Sequence, residues 1–183
     1  MTITPATSLR DLAFIVCTAL HCQGTTAVLS GGGAATVYAP EAYQSRDLDF
    51  ILGFWSALGG ESDAALRALG FTQHGGTYSN AATPFTLEFP AGPLMVGEER
   101  IFEWDTLTQG EYLLYILQPT DCVRDRLAWF LFNNDFSSLE QALAVATRHP
   151  IDLEAIENWA RREGVSRQFA FFRSRYLAEK SGG

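Results

Sequence analysis

The sequence predicts an α/β (α+β) chain: a mixed sheet with flanking helices over residues 1–117, followed by a helical region over residues 118–183 packed on it. Three observations carry this expectation. Short apolar runs alternate with helical patterns through the first part, Gly-rich turns separate them, and from Pro119 onward four successive segments carry helical periodicity with no strand between them. A chain of 183 residues, 47% hydrophobic and 19% charged, can bury a sizeable core and is not a disordered one.

The elements follow in order. In "SLRDLAFIVCTALHCQ", Ser8 suits a helix N-cap with Asp11 three residues on, and Leu9, Leu12, Ala13, Val16 and Leu20 recur on one face until Gly24 stops the helix. "TAVLS" is a short apolar strand, and "GGGAATVYA" a Gly-rich turn entering a short helix that ends near Pro40. "RDLDFIL" is the next strand, and "ESDAALRALG" a helix closed by Gly70. "FTQHGGTYS" suggests a hairpin about Gly75 and Gly76, and "PFTLEF" a further strand. "IFEWDTL" and "EYLLYIL", separated by Thr108, Gln109 and Gly110, form another extended pair. Four helices are expected in "PTDCVRDRLAWFLF", "SSLEQALAVATRH", "IDLEAIENWARREG" and "VSRQFAFFRSRYLAEK", with Pro119 and Pro150 at helix starts and Gly164 as a stop.

A net charge of −8 argues against broad, passive affinity for nucleic acid. The distribution is uneven, because residues 161–183 carry +4 while everything before them carries −12. The basic tail either meets phosphates or pairs with the acidic body as a solvated helix face. Cys17, Cys22 and Cys122 form an odd, unpatterned set that suits reduced thiols. With no evident signal peptide and no apolar run near membrane-spanning length, a cytoplasmic protein with no membrane partner is expected. His21, His74 and His149 lack metal-ligand spacing and read as structural, and the aromatic stripe "FAFFRSRY" reads as core and interface.

Two carboxylates inside an apolar strand need an explanation. Side chains alternate along a strand, so Asp47 and Asp49 share one face and Leu48 and Phe50 the other. In "FTLEF", Phe85, Leu87 and Phe89 likewise oppose Thr86 and Glu88. If the two strands are neighbours, Asp47, Asp49 and Glu88 converge, and three like charges there call for a compensating cation. Oxygen ligands of this kind suit Mg²⁺ or Mn²⁺. A pair of such ions serves in-line displacement at a phosphoryl group, with Asp47 and Asp49 holding both and Glu88 completing the one beside the acceptor. Gly31 and Gly32, opening a helix without β-carbons, let backbone N–H groups approach nucleotide phosphates; without a ligand they are simply a tight turn. Glu88 also has a plain reading, as an exposed residue on an open sheet face.

The set "SGGGA", "RDLDF" and "TLEF" resembles the nucleotidyltransferase superfamily, in which a Gly-Gly or Gly-Ser pair at a helix start precedes Asp-x-Asp on the next strand and a third carboxylate on a later one. The motifs span roughly residues 28 to 89 and look most like the minimal AbiEii-type and MenT-type toxin branch. The resemblance implies a mixed sheet with flanking helices, binding of an NTP with Mg²⁺, and transfer of a nucleotidyl group to an RNA (tRNA) or protein acceptor. A cognate antitoxin is the partner this branch implies. It also places Ser30, Gly31 and Gly32 at the nucleotide, and makes Arg126 the counterpart of a nucleotide-gripping lysine. Asp135 is the one match to the branch's later aspartate-rich segment. The chain has one lysine, Lys180, so arginine replaces such a lysine or nothing does. Arg46 either neutralises phosphate charge or pairs with Asp47, and Arg126 either reaches the nucleotide or is claimed by Asp121 or Asp125. Two other classes stand beside this one: a catalytically inactive relative that binds nucleotide or a partner protein, and, ranked lower, a nucleotide-sugar glycosyltransferase.

Overall fold

Ser8 begins the first helix, α1 (Leu9–Cys22), by accepting a hydrogen bond from the Asp11 amide at 3.1 Å and donating one to the Asp11 carboxylate at 2.7 Å. The computed structural model describes residues 2–53 and 58–181. Strand β1 (Ala27–Ser30) passes directly into α2 (Gly31–Tyr38), and β2 (Asp47–Leu52), α3 (Gly60–Ala68) and the hairpin β3 (Thr72–His74) with β4 (Thr77–Ser79) follow. Next come β5 (Thr86–Glu88), a small pair β6 (Met95–Val96) and β7 (Glu99–Arg100), and the hairpin β8 (Asp105–Gln109) with β9 (Tyr112–Ile116). The chain closes with α4 (Pro119–Asn133), α5 (Phe136–Arg148), α6 (Leu153–Arg162) and α7 (Ser166–Ser181).

The main sheet is mixed and runs β3-β4-β5-β2-β1-β9-β8. Strand β1 is antiparallel to β2 and parallel to β9, while β2 is parallel to β5. Its core face carries Leu29, Leu48, Phe50 and Leu87, each fully buried. Phe50 stacks on Phe89 at 6.0 Å between ring centroids, and Phe89 meets the Tyr78 ring edge-on. Helix α1 packs on β9 and β1, and α2 fills the space between the sheet and helices α4 and α5. All eight residues of α2 are buried.

Polar contacts tie the C-terminal helices to the rest. The Tyr38 hydroxyl donates to the Leu117 carbonyl at 2.7 Å, and His149 Nε2 donates to the Tyr38 carbonyl at 2.8 Å. Glu99 on β7 pairs with both Arg124 of α4 and Arg162 of α6. The expectation that tail arginines pair with the acidic body holds for Arg162, for Arg173 with Glu157 at 3.8 Å, and for Arg175 with Glu140, while Arg175 also pairs within the tail with Glu179. Phe169, Phe172 and Tyr176 are core residues, as the aromatic stripe suggested.

Three details depart from expectation. The β6–β7 pair was not foreseen, because two-residue strands are too short to show alternation. Strand β8 includes Thr108 and Gln109, so the turn to β9 lies one step later, at Gly110 and Glu111. Helix α6 is capped by Asp152, whose carboxylate accepts from the Ala155 amide at 2.8 Å, and does not start at Pro150. Among the described residues, no helix is long and apolar enough to cross a membrane.

Leu48 lies between the two aspartates of β2 but on the core face, so it separates folding from site chemistry. Leu48→Ala is expected to lower stability by about 2–5 kcal/mol, read as a shift in denaturant midpoint at unchanged slope.

Candidate functional site

Strand β2 is central, flanked by β1 and β5, and its alternation places the half-buried Asp47 and Asp49 on the face opposite Leu48 and Phe50. The register pairs Asp49 with Ser30 on one side and with Glu88 on the other, so three polar residues from three strands stand in one row. Asp47 pairs with Thr86. The carboxylates are engaged locally: Ser45 donates to Asp47 Oδ1 at 2.7 Å, and Thr77 donates to Glu88 Oε1 at 3.2 Å. Ser45 is itself anchored, since its amide donates to Thr36 Oγ1 of α2 at 2.9 Å. The backbone thus brings Asp47, Asp49 and Glu88 to one patch. Their side chains do not close on a point: among the described residues, no three His, Cys, Asp or Glu side chains could hold an ion together as they lie.

Electrostatics single out Asp49. Burial raises its pKa from the ordinary 3.8 to about 6, and the charges of Asp47, Glu88 and Asp125 push the same way against the opposing pull of Arg126. Arg126 is 8% exposed and is held by Asp125, which accepts from its Nε at 3.0 Å and its Nη2 at 2.7 Å. Of the two aspartates that could claim Arg126, Asp125 does so; Asp121 goes to Arg124 at 2.8 Å. Asp135 caps α5, accepting from the Ser137 amide at 3.0 Å and the Ser138 hydroxyl at 2.7 Å. Arg46 is exposed and forms no ion pair with Asp47, although its carbonyl accepts from the Thr86 amide.

The glycine turn meets this patch at its centre. Gly31 has φ +67°, and a β-carbon there would fall within the Asp49 carboxylate. A β-carbon on Gly32 would lie 3.1 Å from Ser45 Oγ, 3.5 Å from the Tyr43 ring and 3.6 Å from Gln141 Oε1. Ser30, the N-cap, makes no side-chain cap to the helix; its hydroxyl donates to the Asp49 carbonyl at 3.3 Å. The first-turn N–H groups of α2 therefore lack a side-chain acceptor from their own cap. An anion-attracting helix start lies beside a carboxylate patch that attracts cations. Hard oxygen donors around a half-buried carboxylate whose like-charged neighbours repel it fit a divalent cation chemically.

Sequence reasoning missed Ser45, Thr36 and Gln141. A hydroxyl two residues before an Asp-x-Asp strand is a weak signal for Ser45. Gln141 gave none, because its burial depends on how α5 packs on α2.

The raised Asp49 pKa has a signed consequence. Between about 3.8 and 6 the folded chain holds a proton at Asp49 that the unfolded chain releases, so this contribution to stability is lost as pH rises through the folded pKa. In buffer containing EDTA, Asp49→Asn should be more stable than the parent near neutral pH by on the order of 1–3 kcal/mol. The advantage should vanish below the unfolded pKa, as read by chemical denaturation across pH. Gly31→Ala combines an unfavourable φ with displacement of Asp49. It is expected to cost about 1–3 kcal/mol and to abolish that pH dependence.

No protein-family model matches the chain, and comparison with curated proteins finds no match. Among solved structures, the chain is similar to the antibiotic-resistance factor ANT(2'')-Ia, an aminoglycoside nucleotidyltransferase whose solution structure was described for its substrate-regulated conformational dynamics. The TM-score is 0.52 over 94% of this chain and 95% of that one, at 16% identity. Mixed sheet, flanking helices and helical C-terminal region together constitute a nucleotidyltransferase-like fold.

Proposed function

We propose that the chain is a Mg²⁺- or Mn²⁺-dependent nucleotidyltransferase that moves a nucleotidyl group from an NTP to an RNA (tRNA) or protein acceptor. The observation that carries this reading is the row Ser30–Asp49–Glu88, with the uncapped start of α2 immediately beside it. The shared fold with ANT(2'')-Ia supports it at the level of architecture. Asp47 and Asp49 would hold the ion, with Glu88 added once it leaves Thr77. A bound ion would neutralise triphosphate charge and make the transferred phosphorus more electrophilic.

The chain's own residues supply the rest. Gly31 and Gly32 present backbone N–H groups to the phosphates, Ser45 keeps Asp47 oriented, and Arg126 offsets negative charge from the helical side. Arg46, exposed and free of Asp47, is available to phosphate. In this reading residues 1–117 carry the ion and nucleotide, and residues 118–183 close the site. Resemblance to the AbiEii/MenT branch supports a cytoplasmic toxin–antitoxin role with a cognate antitoxin as partner.

A second reading has its own support. Arg126 is committed to Asp125, and the chain's one lysine, Lys180, sits near the end of α7. An inactive relative that binds nucleotide or a partner protein would look the same in these respects.

Incubation with each labelled NTP, Mg²⁺ and total RNA, with a parallel arm of aminoglycosides, separates the readings. Label should enter an acceptor with the parent protein and not with Asp47→Ala/Asp49→Ala, which should remain folded yet lose Mg²⁺-dependent NTP binding. Glu88→Gln should keep NTP binding and lower transfer by orders of magnitude, because its charge acts mainly on the transition state. NTP binding with no transfer to any acceptor would favour the inactive relative, and no NTP binding would sink both the enzyme and the nucleotide-binding relative, leaving only a partner-binding protein.

A further inference from the structure

Gln141 on α5 is 4% exposed, and its Oε1 has no hydrogen-bond partner while its Nε2 donates to Ser137 Oγ at 3.3 Å. Buried amide oxygens without a partner are uncommon and call for a reason. This one faces the start of α2, 3.6 Å from where a Gly32 β-carbon would stand, in the space bounded by Ser45 Oγ and the Tyr43 ring. The missing side chain of Gly32 and the idle end of Gln141 thus define the same small space, beside N–H groups that Ser30 does not cap.

We propose that Gln141 is a phosphate-binding residue of this site, donating from Nε2 to a terminal phosphate of the bound nucleotide. The hydrogen-bond chemistry requires only that the amide turn over. A serine hydroxyl both donates and accepts, so Ser137 serves either orientation. With the amide turned, Oε1 accepts from the Ser137 hydroxyl and Nε2 points at the α2 start, leaving both ends of the amide paired once a phosphate oxygen arrives. In the other orientation one end stays idle. The neutral amide also suits its neighbours, because Asp47 and Asp49 already supply negative charge nearby and Arg126 is held by Asp125. Tyr43, half-buried on the connection between α2 and β2, lines the same space with its ring, which must move to admit a phosphate.

This inference rests on the nucleotide-binding reading above, and the experiment keeps the two apart. Titration calorimetry with ATP, GTP, CTP and UTP, and with the corresponding diphosphates and monophosphates, in Mg²⁺ buffer, gives parent affinities. Gln141→Leu keeps the side chain's size and removes its amide. It should weaken triphosphate binding about 10-fold, the worth of one hydrogen bond to a charged group, while leaving monophosphate affinity unchanged. Gln141→Glu, which adds a charge in the same shape, should weaken triphosphate binding further. The ligand-free melting temperature of Gln141→Leu should equal or exceed the parent's, since an idle polar atom has been removed. If the parent binds a triphosphate and Gln141→Leu binds it equally well, the amide serves only the apo fold and the inference fails while the nucleotide reading stands. An equal loss for monophosphate and triphosphate would also overturn it. No binding of any triphosphate by the parent would remove the nucleotide reading itself.

Discussion

Where β1 passes into α2 without a connecting residue, the backbone turns at Gly31 in the left-handed region, and the bare side of that turn rests on the Asp49 carboxylate. That contact constrains much around it. It fixes where α2 starts and how near its positive end approaches the carboxylates. It also requires that β2 present Asp49, and not Leu48 or Phe50, toward the turn. A one-residue slip in the β1–β2 register would put an apolar side chain there and leave a carboxylate in the core.

The patch combines opposite demands within one turn of helix and one row of sheet. Asp47, Asp49 and Glu88 repel one another, and burial sharpens the effect at Asp49. The fold manages this without a lysine: Ser45 and Thr77 donate to two of the carboxylates, and Arg126 acts on Asp49 through its field while remaining bonded to Asp125. The arrangement is stable enough to persist yet leaves charge to be met.

Much of this was legible in the sequence, for reasons that differ by element. Alternation in "RDLDFIL" and "PFTLEF" separated polar from core faces because one-sided burial enforces a two-residue period. Glycine spacing marked the β3–β4 turn and the ends of α1 and α3 because few other residues take a positive φ cheaply. Alternation alone could not say that β5 lies beside β2; the register with Glu88 opposite Asp49 is a tertiary fact. The partner of Arg126 was one of two local options, and only packing chose Asp125. The β6–β7 pair was invisible for want of length, although Glu99 on it links α4 to α6. Gln141 sits in a helical run whose polar positions all look like surface until α5 meets α2.

The complete enclosure of α2 has a dielectric consequence. A helix lying on a protein surface has its end charges screened by water and by salt within about 10 Å at ordinary ionic strength. The eight residues of α2 are instead walled by β1, β2, α1, α4 and α5. Field lines from its first turn therefore run through weakly polarisable material and emerge mainly at the Gly31 end. Attraction for an anion at that end is correspondingly insensitive to salt, in contrast to the solvent-facing arginines of α7, whose pull on a passing phosphate fades as ionic strength rises.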